Sequence, residues 1–273
     1  MSLGDYAMGR TIACLVALLG LGHVEAMDFA TGDGLVVSAQ VPGKLGPVSL
    51  DGKPISHGEG RLGLIDPRTG GPPPDGKFHL DAHVSGATGR LVLSGTVAAA
   101  GEEETVCMLQ ARLPVGDEGW LFWDNMSRAR VIRAGEKYVQ SVYPVCCVTD
   151  PTRRLGVAVA LDPDPLQPAL CSYDPAARAL IVNWFFGFTP LARPEYRMRA
   201  PFRLEIYRVE PGWAFRSALD RYYRFHPKKF DWRAKLAGLW LFASPTEGLP
   251  NPQHYAYNEG GPPPTADLPR GLG

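Results

Sequence analysis

Two aromatic clusters carry the residue types that sugar recognition uses. Trp120-Leu-Phe-Trp123 runs into Asp124 and Asn125, and Asn183-Trp-Phe-Phe-Gly-Phe188 again sets indole and phenyl rings beside an amide. A sugar ring offers an apolar C–H face that stacks on indole and a rim of hydroxyls that pairs with Asp, Asn or Arg. A Trp or Phe on a strand of a large sandwich is more often core, and a Trp-Phe-Phe run points rings to both faces whatever its role. Trp120 and Asn125, beside the Gly116–Gly119 turn, are therefore the candidate surface contacts.

Other constellations are sparse. There is no Gly-x-Ser-x-Gly elbow, no P-loop and no Gly-x-Gly-x-x-Gly at a strand-to-helix turn, so serine hydrolysis and nucleotide binding lack support. His57, His79, His83, His226 and His254 are scattered. Only His79 and His83 share a strand face, and at i and i+4 they stand too far apart to chelate one ion. No metal and no cofactor are expected. Cys107, Cys146, Cys147 and Cys171 form no Cys-x-x-Cys pair. On a strand Cys146 and Cys147 alternate faces, which leaves two readings open: small buried hydrophobes, or one bridge between Cys171 and one of that pair.

The elements that must position these residues read mainly as strands. In Lys77–Val84, Phe78, Leu80, Ala82 and Val84 alternate with Lys77, His79, Asp81 and His83, the pattern of an antiparallel strand with one wet face. Gly86–Gly89 turns the chain into Arg90–Val97, and Thr105–Leu113 follows a polar turn. Further strands are expected over Arg128–Ile132, Val139–Tyr143, Gly156–Leu161, Ala169–Tyr173, Ala179–Phe186 and Phe202–Val209. Gly63–Gly76, with Pro67 and Pro72–Pro74, reads as a long surface loop. So many short strands without an intervening helix predict two packed antiparallel sheets, a large β-sandwich over residues 27–233.

An amphipathic helix closes that run, expected over 211–226. Phe215, Ala218, Leu219 and Tyr222 form one apolar stripe, Pro211 fits the first turn and Pro227 stops the helix. Trp213, Phe215 and Tyr222 are expected to pack it on the sandwich. Beyond it, Lys235–Ala243 reads as a buried strand, and Gly248–Gly273 is mostly Pro, Gly, Asn and polar residues.

Tyr143-Pro-Val-Cys-Cys-Val-Thr-Asp-Pro151, Arg154-Leu-Gly-Val-Ala-Val-Ala-Leu-Asp-Pro163 and Phe202-Arg-Leu-Glu-Ile-Tyr-Arg-Val-Glu-Pro-Gly-Trp-Ala-Phe-Arg216 together resemble a group of bacterial secreted proteins related to glycoside hydrolases. In that group an N-terminal β-supersandwich leads through a helix into a (β/α)8 barrel. The resemblance implies that Gly238-Leu-Trp-Leu-Phe242 is the first barrel strand and that His254–Gly260 is the loop after it. It also implies that residues 234–273 are an incomplete, poorly ordered start of the barrel. Barrel enzymes place an acid and a base or nucleophile at the ends of several strands. Glu259, with Asn258 and His254 as polar neighbours, is the residue that would line such a site, and one strand cannot assemble the pair.

The N-terminus reads as an export signal over residues 1–26. Arg10 precedes the apolar run Ile12–Leu21, and Val24-Glu-Ala26 places small residues at the exit. Lys+Arg and Asp+Glu are equal at 28 each, without basic or acidic blocks, so neither nucleic acid nor an anionic membrane surface is expected as partner. The expected function is the non-catalytic sandwich portion of a secreted or periplasmic carbohydrate-active protein. A stand-alone carbohydrate-binding or adhesion module and a polysaccharide lyase-like enzyme are the alternatives. For the lyase, Tyr143, Arg224 and His226 have no recognisable spacing.

Overall fold

The structure, a computed structural model, describes residues 26–139, 143–164, 167–231, 233, 238–242, 248, 250–251 and 254–259. The export signal and residues 260–273 lie outside the described residues, save Ala26. The chain divides after Tyr222 into two compact units.

The strands of the first unit are, in chain order, β1 (Met27–Ala30), β2 (Leu35–Gln40), β3 (Gly43–Leu50), β4 (Lys53–Pro54), β5 (Gly60–Ile65), β6 (Phe78–Ala87), β7 (Arg90–Ala99) and β8 (Thr105–Leu113). There follow β9 (Leu121–Trp123), β10 (Ala129–Val131), β11 (Tyr138–Val139), β12 (Val145–Asp150), β13 (Leu155–Leu161), β14 (Ala169–Asp174), β15 (Ala179–Phe188) and β16 (Arg199–Arg208). They form two antiparallel sheets. One runs β1-β2-β3-β5-β8-β15-β14-β11, with β4 beside β3; the other runs β10-β9-β12-β13-β16-β7-β6.

Alternation explains the packing. Leu91, Leu93 and Val97 of β7, Val157 and Val159 of β13, and Phe202, Leu204 and Ile206 of β16 turn inward from the seven-stranded sheet. They meet Leu109 and Ala111 of β8 and Val182, Trp184 and Phe186 of β15 from the other. Val97 pairs with Leu80 in register, so the dry face of β6 continues the same layer.

Most expected strands are present with shifted ends; of Val139–Tyr143 only Val139 is in a described strand, with residues 140–142 outside the described residues, and of the expected buried strand Lys235–Ala243 the described part, Leu239–Phe242, is a mostly exposed strand. The surface loop starts later than the sequence indicates, because β5 takes Gly63–Ile65. The four strands of Met27–Pro54 carry no matching expectation; Gly and Pro interrupt the period of β3 and β4, whereas β2 alternates buried and half-buried residues. Among the described residues Cys107, Cys146, Cys147 and Cys171 are all free and buried. Cys146 joins the inter-sheet core and is hydrogen-bonded to Cys171 across the two sheets, while Cys147 faces the other way. No bridge links them.

α1 (Ala214–Phe225) is shorter than expected, and Pro211 precedes it. Its start is held by the Glu210 N–H donating to Ser217 Oγ at 2.7 Å. Phe215, Ala218, Leu219 and Tyr222 are buried as the stripe requires, but Trp213 is 66 % exposed, because it sits in the turn before the first helical residue. The helix lies on the outer face of the seven-stranded sheet: Tyr207 Oη donates to the Ala218 carbonyl and Tyr222 Oη to the Leu161 carbonyl, each at 3.0 Å. Phe215 stacks edge-on against Tyr143, with ring centres 5.4 Å apart.

In the second unit α2 (Pro227–Phe230) begins on Pro227, and Phe230 packs on Tyr223 at 4.6 Å between ring centres. β17 (Leu239–Phe242) and β18 (Tyr255–Glu259) form a parallel pair. Tyr255–Glu259 is thus a strand, where the resemblance implied a loop, because its backbone pairs with Leu239–Phe242. No helix among the described residues is long and apolar enough to cross a membrane.

Candidate functional site

Where β13 ends, the seven-stranded sheet opens. Leu161 is the last residue of β13 to pair with β16, opposite Leu204. The earlier residues Pro201, Phe202 and Arg203 keep Thr96, Gly95 and Ser94 of β7 on one side only. A pocket of about 290 Å³ occupies this place, with Leu161, Trp184 and Phe202 among its apolar lining. Asp81, His83, Ser94, Thr96, Asp162, Asp164, Gln167 and Arg203 supply its polar groups.

The alternation of β6 and β7 puts Asp81 and His83 opposite Thr96 and Ser94 in register. Ser94 Oγ lies 2.9 Å from His83 Nε2, and Arg203 Nε donates to Asp162 Oδ2 at 2.8 Å. Gln167 donates to the Pro201 carbonyl, which ties the loop to the strand. Asp162 is already held, its Oδ2 by Arg203 and its Oδ1 by the Asp164 N–H at 2.8 Å. Gly95 is fixed by sterics, since a Cβ there would meet the Asp81 carbonyl at 2.0 Å.

The residues singled out from the sequence are elsewhere. Trp120 is 5 % exposed and belongs to the core, a correction to its reading as a surface contact: the Ile132 N–H donates to its carbonyl, which extends the β9–β10 pairing by one residue, and its side chain joins the inter-sheet cluster. Asn125 is consumed by its own turn, its Oδ1 accepting from the Ser127 and Arg128 N–H groups at 3.0 and 2.8 Å. His254 is exposed at the start of β18, and Asn258 and Glu259 are backbone partners of Leu241 and Phe242. These three lie in the second unit and share no residue with the pocket. Of the sequence clusters, only Asn183–Phe188 contributes, through Trp184. His83 and Asp81 were legible as the wet face of a strand, but their meeting with Asp162 and Arg203 depends on pairing across β7 and β16.

No protein-family model matches this chain, and no curated protein sequence does. Solved structures resemble it only remotely. A putative aldose 1-epimerase from Escherichia coli K12 aligns at TM-score 0.43 and 8% identity over 68% of this chain and 99% of its own. A galactose mutarotase related enzyme from Lactobacillus acidophilus aligns at 0.44 and 8%, over 68% and 98%. The α-N-acetylgalactosaminidase NagBb from Bifidobacterium bifidum aligns at 0.45 and 10%, over 80% of this chain and 43% of that one. TM-scores below 0.5 leave the chemistry of these proteins their own.

Proposed function

We propose that the chain is the non-catalytic sandwich portion of a secreted, glycoside-hydrolase-like carbohydrate-active protein, and that the pocket beside Pro201–Arg203 takes a neutral sugar ring. The observation that carries this reading is the lining itself: the polar groups of Asp81, His83, Ser94, Thr96, Asp162 and Arg203 beside the core residues Leu161, Trp184 and Phe202. At about 290 Å³ it falls near the lower end of small-ligand sites, which begin at about 300 Å³. Under the same reading residues 1–26 are removed on export, and the parallel β17–β18 pair is the feature that agrees with a β/α-type second unit.

Titrating the chain with a panel of neutral monosaccharides by NMR tests the site. Saturable shifts at Ser94, Thr96 and Phe202, weakened at least tenfold in Asp162→Asn and His83→Ala, are expected. Saturation unaffected by either substitution would place the sugar elsewhere, and turnover lost in Asp162→Asn would replace the binding role with an enzymatic one.

A further inference from the structure

A second pocket, of about 420 Å³, opens where the β3–β4 tip, the β12–β13 turn and the end of β16 come together. Leu50, Asp51, Lys53, Arg153, Arg154, Leu155, Arg208 and Glu210 line it, so four cations face two carboxylates. Asp150, behind the turn, offsets Arg153 and still leaves positive charge in excess, on a chain whose formal net charge is zero.

The cations are held differently. Arg208 is fixed, its Nη1 donating to both Asp51 Oδ1 and the Asp33 carbonyl at 2.7 Å. Arg153 and Arg154 are loosely paired, Nε to Asp150 Oδ2 at 3.8 Å and Nη2 to Glu210 Oε1 at 3.6 Å, with side chains 49% and 80% exposed. Pairs of that geometry contribute little, so both guanidiniums are free to turn toward a better acceptor. Lys53, at the opposite tip, is exposed.

The local backbone presents Arg154. Asp150-Pro-Thr-Arg-Arg154 is a turn whose Asp150 Oδ1 accepts the Thr152 and Arg153 N–H groups, and Arg154 closes it at φ 54°. The left-handed region suits glycine, and Gly70 fills the same place at φ 72° in Asp66-Pro-Arg-Thr-Gly70. Asp174-Pro-Ala-Ala-Arg178 repeats the turn with Arg178 at φ 46°, but there the guanidinium pairs with Asp117 at 3.5 Å and lies outside the pocket.

We propose that this basic pocket binds a small oxyanion group, the sulfate or carboxylate of a larger acidic ligand. Guanidiniums present paired N–H donors that match two oxygens of such a group at once, Lys53 adds a point charge, and the fixed Arg208 anchors the floor. The site is separate from the neutral-sugar pocket and stands or falls without it.

Isothermal titration of the chain with inorganic sulfate and with glucuronate, in sodium chloride adjusted to constant ionic strength, tests the assignment. Saturable binding of at least one is expected, weakened tenfold or more in the Lys53→Gln/Arg153→Gln/Arg154→Gln triple variant and unchanged in Arg178→Gln. Sulfate binding alone identifies a sulfate ester, and glucuronate binding alone a uronate. No saturable heat from either anion, or equal loss in Arg178→Gln, overturns the site. Loss of binding in the triple variant counts only with an unchanged thermal midpoint, which the exposure of the three side chains leads us to expect.

Discussion

The outer face of the seven-stranded sheet is two surfaces. Over β12, β13 and the second half of β16 it is mostly apolar and roofed: Val145, Cys147, Ala158, Ala160 and Tyr207 are fully buried beside one charged residue, Glu205, whose carboxylate accepts from Arg90, and α1 supplies Phe215, Ala218, Leu219 and Tyr222. Over β6 and β7 the same face carries exposed His79, Asp81 and His83, with Ser94 and Thr96 half-buried. The boundary follows side-chain size. The alanines of β13 let a helix approach closely, whereas a row of His and Asp would lose its hydration beneath one. One half of the face holds the fold together, and the other is left open to solvent.

The largest break in this comparison is Phe215→Ala. Removing a buried phenyl from the roof should cost about 3–5 kcal/mol, measured by urea denaturation. Cys147 supplies a second readout. Burial pushes its thiol far above the ordinary range, so native alkylation should be negligible in the parent protein and measurable in the variant. A variant as stable and as protected as the parent would show that the helix does not roof the sheet.

A finer cut is Tyr207→Phe, which removes the bond to the Ala218 carbonyl and keeps the ring. A loss of about 1 kcal/mol is expected. An equal loss from Ser94→Ala on the open half would erase the distinction.

Asp33 ties the roof's edge to the β1–β2 turn, with Arg221 Nη1 donating to Oδ2 at 2.6 Å. Burial raises the Asp33 carboxyl, but hydrogen bonds from Thr31 and Arg221 and the Arg221 charge outweigh it and leave it below 3.8. A lowered folded-state value means stability present above the unfolded value and lost as pH falls through the folded one. Asp33→Asn should therefore be less stable than the parent at neutral pH, with the gap closing below about pH 4. A gap that persists at pH 2 would assign the effect to packing.

The roofed half was legible in the sequence. The stripe Phe215, Ala218, Leu219, Tyr222 has the helical period and announces its buried face locally, whereas β13 is buried on both faces: Val157, Val159 and Leu161 turn to the other sheet, and only the small Ala158 and Ala160 mark the face under the helix. Trp213 broke the pattern because the helix begins after it. The open half was legible only as a wet strand. Asp81 and Asp162 lie far apart in the chain, and nothing in either segment encodes that β7 and β16 stand between them. Trp120 misled for the converse reason: an indole among Gly, Asp and Asn reads as exposed, yet its backbone extends the β9–β10 pairing to Ile132 and its side chain joins the core. The repeated Asp-Pro-x-x-Arg turn was a readable signal, since Asp accepting two following N–H groups is a local property. Which copy faces Lys53 and Arg208 is tertiary.

The smallest effect expected on stability is the one that matters for ligand binding. Ser94→Ala removes a hydroxyl that lies 2.9 Å from His83 Nε2 on the open half, where water can replace it. Substitutions on such a surface usually change stability by less than about 0.5 kcal/mol, so the thermal midpoint should hardly move. Sugar affinity should nonetheless fall, because the pocket loses one polar partner and His83 loses the neighbour that orients its ring. Measuring both quantities on one preparation sharpens the contrast between the halves. A drop in stability of 1 kcal/mol or more with unchanged affinity would make Ser94–His83 a structural tie, and the open half would then be a second, thinner piece of the scaffold.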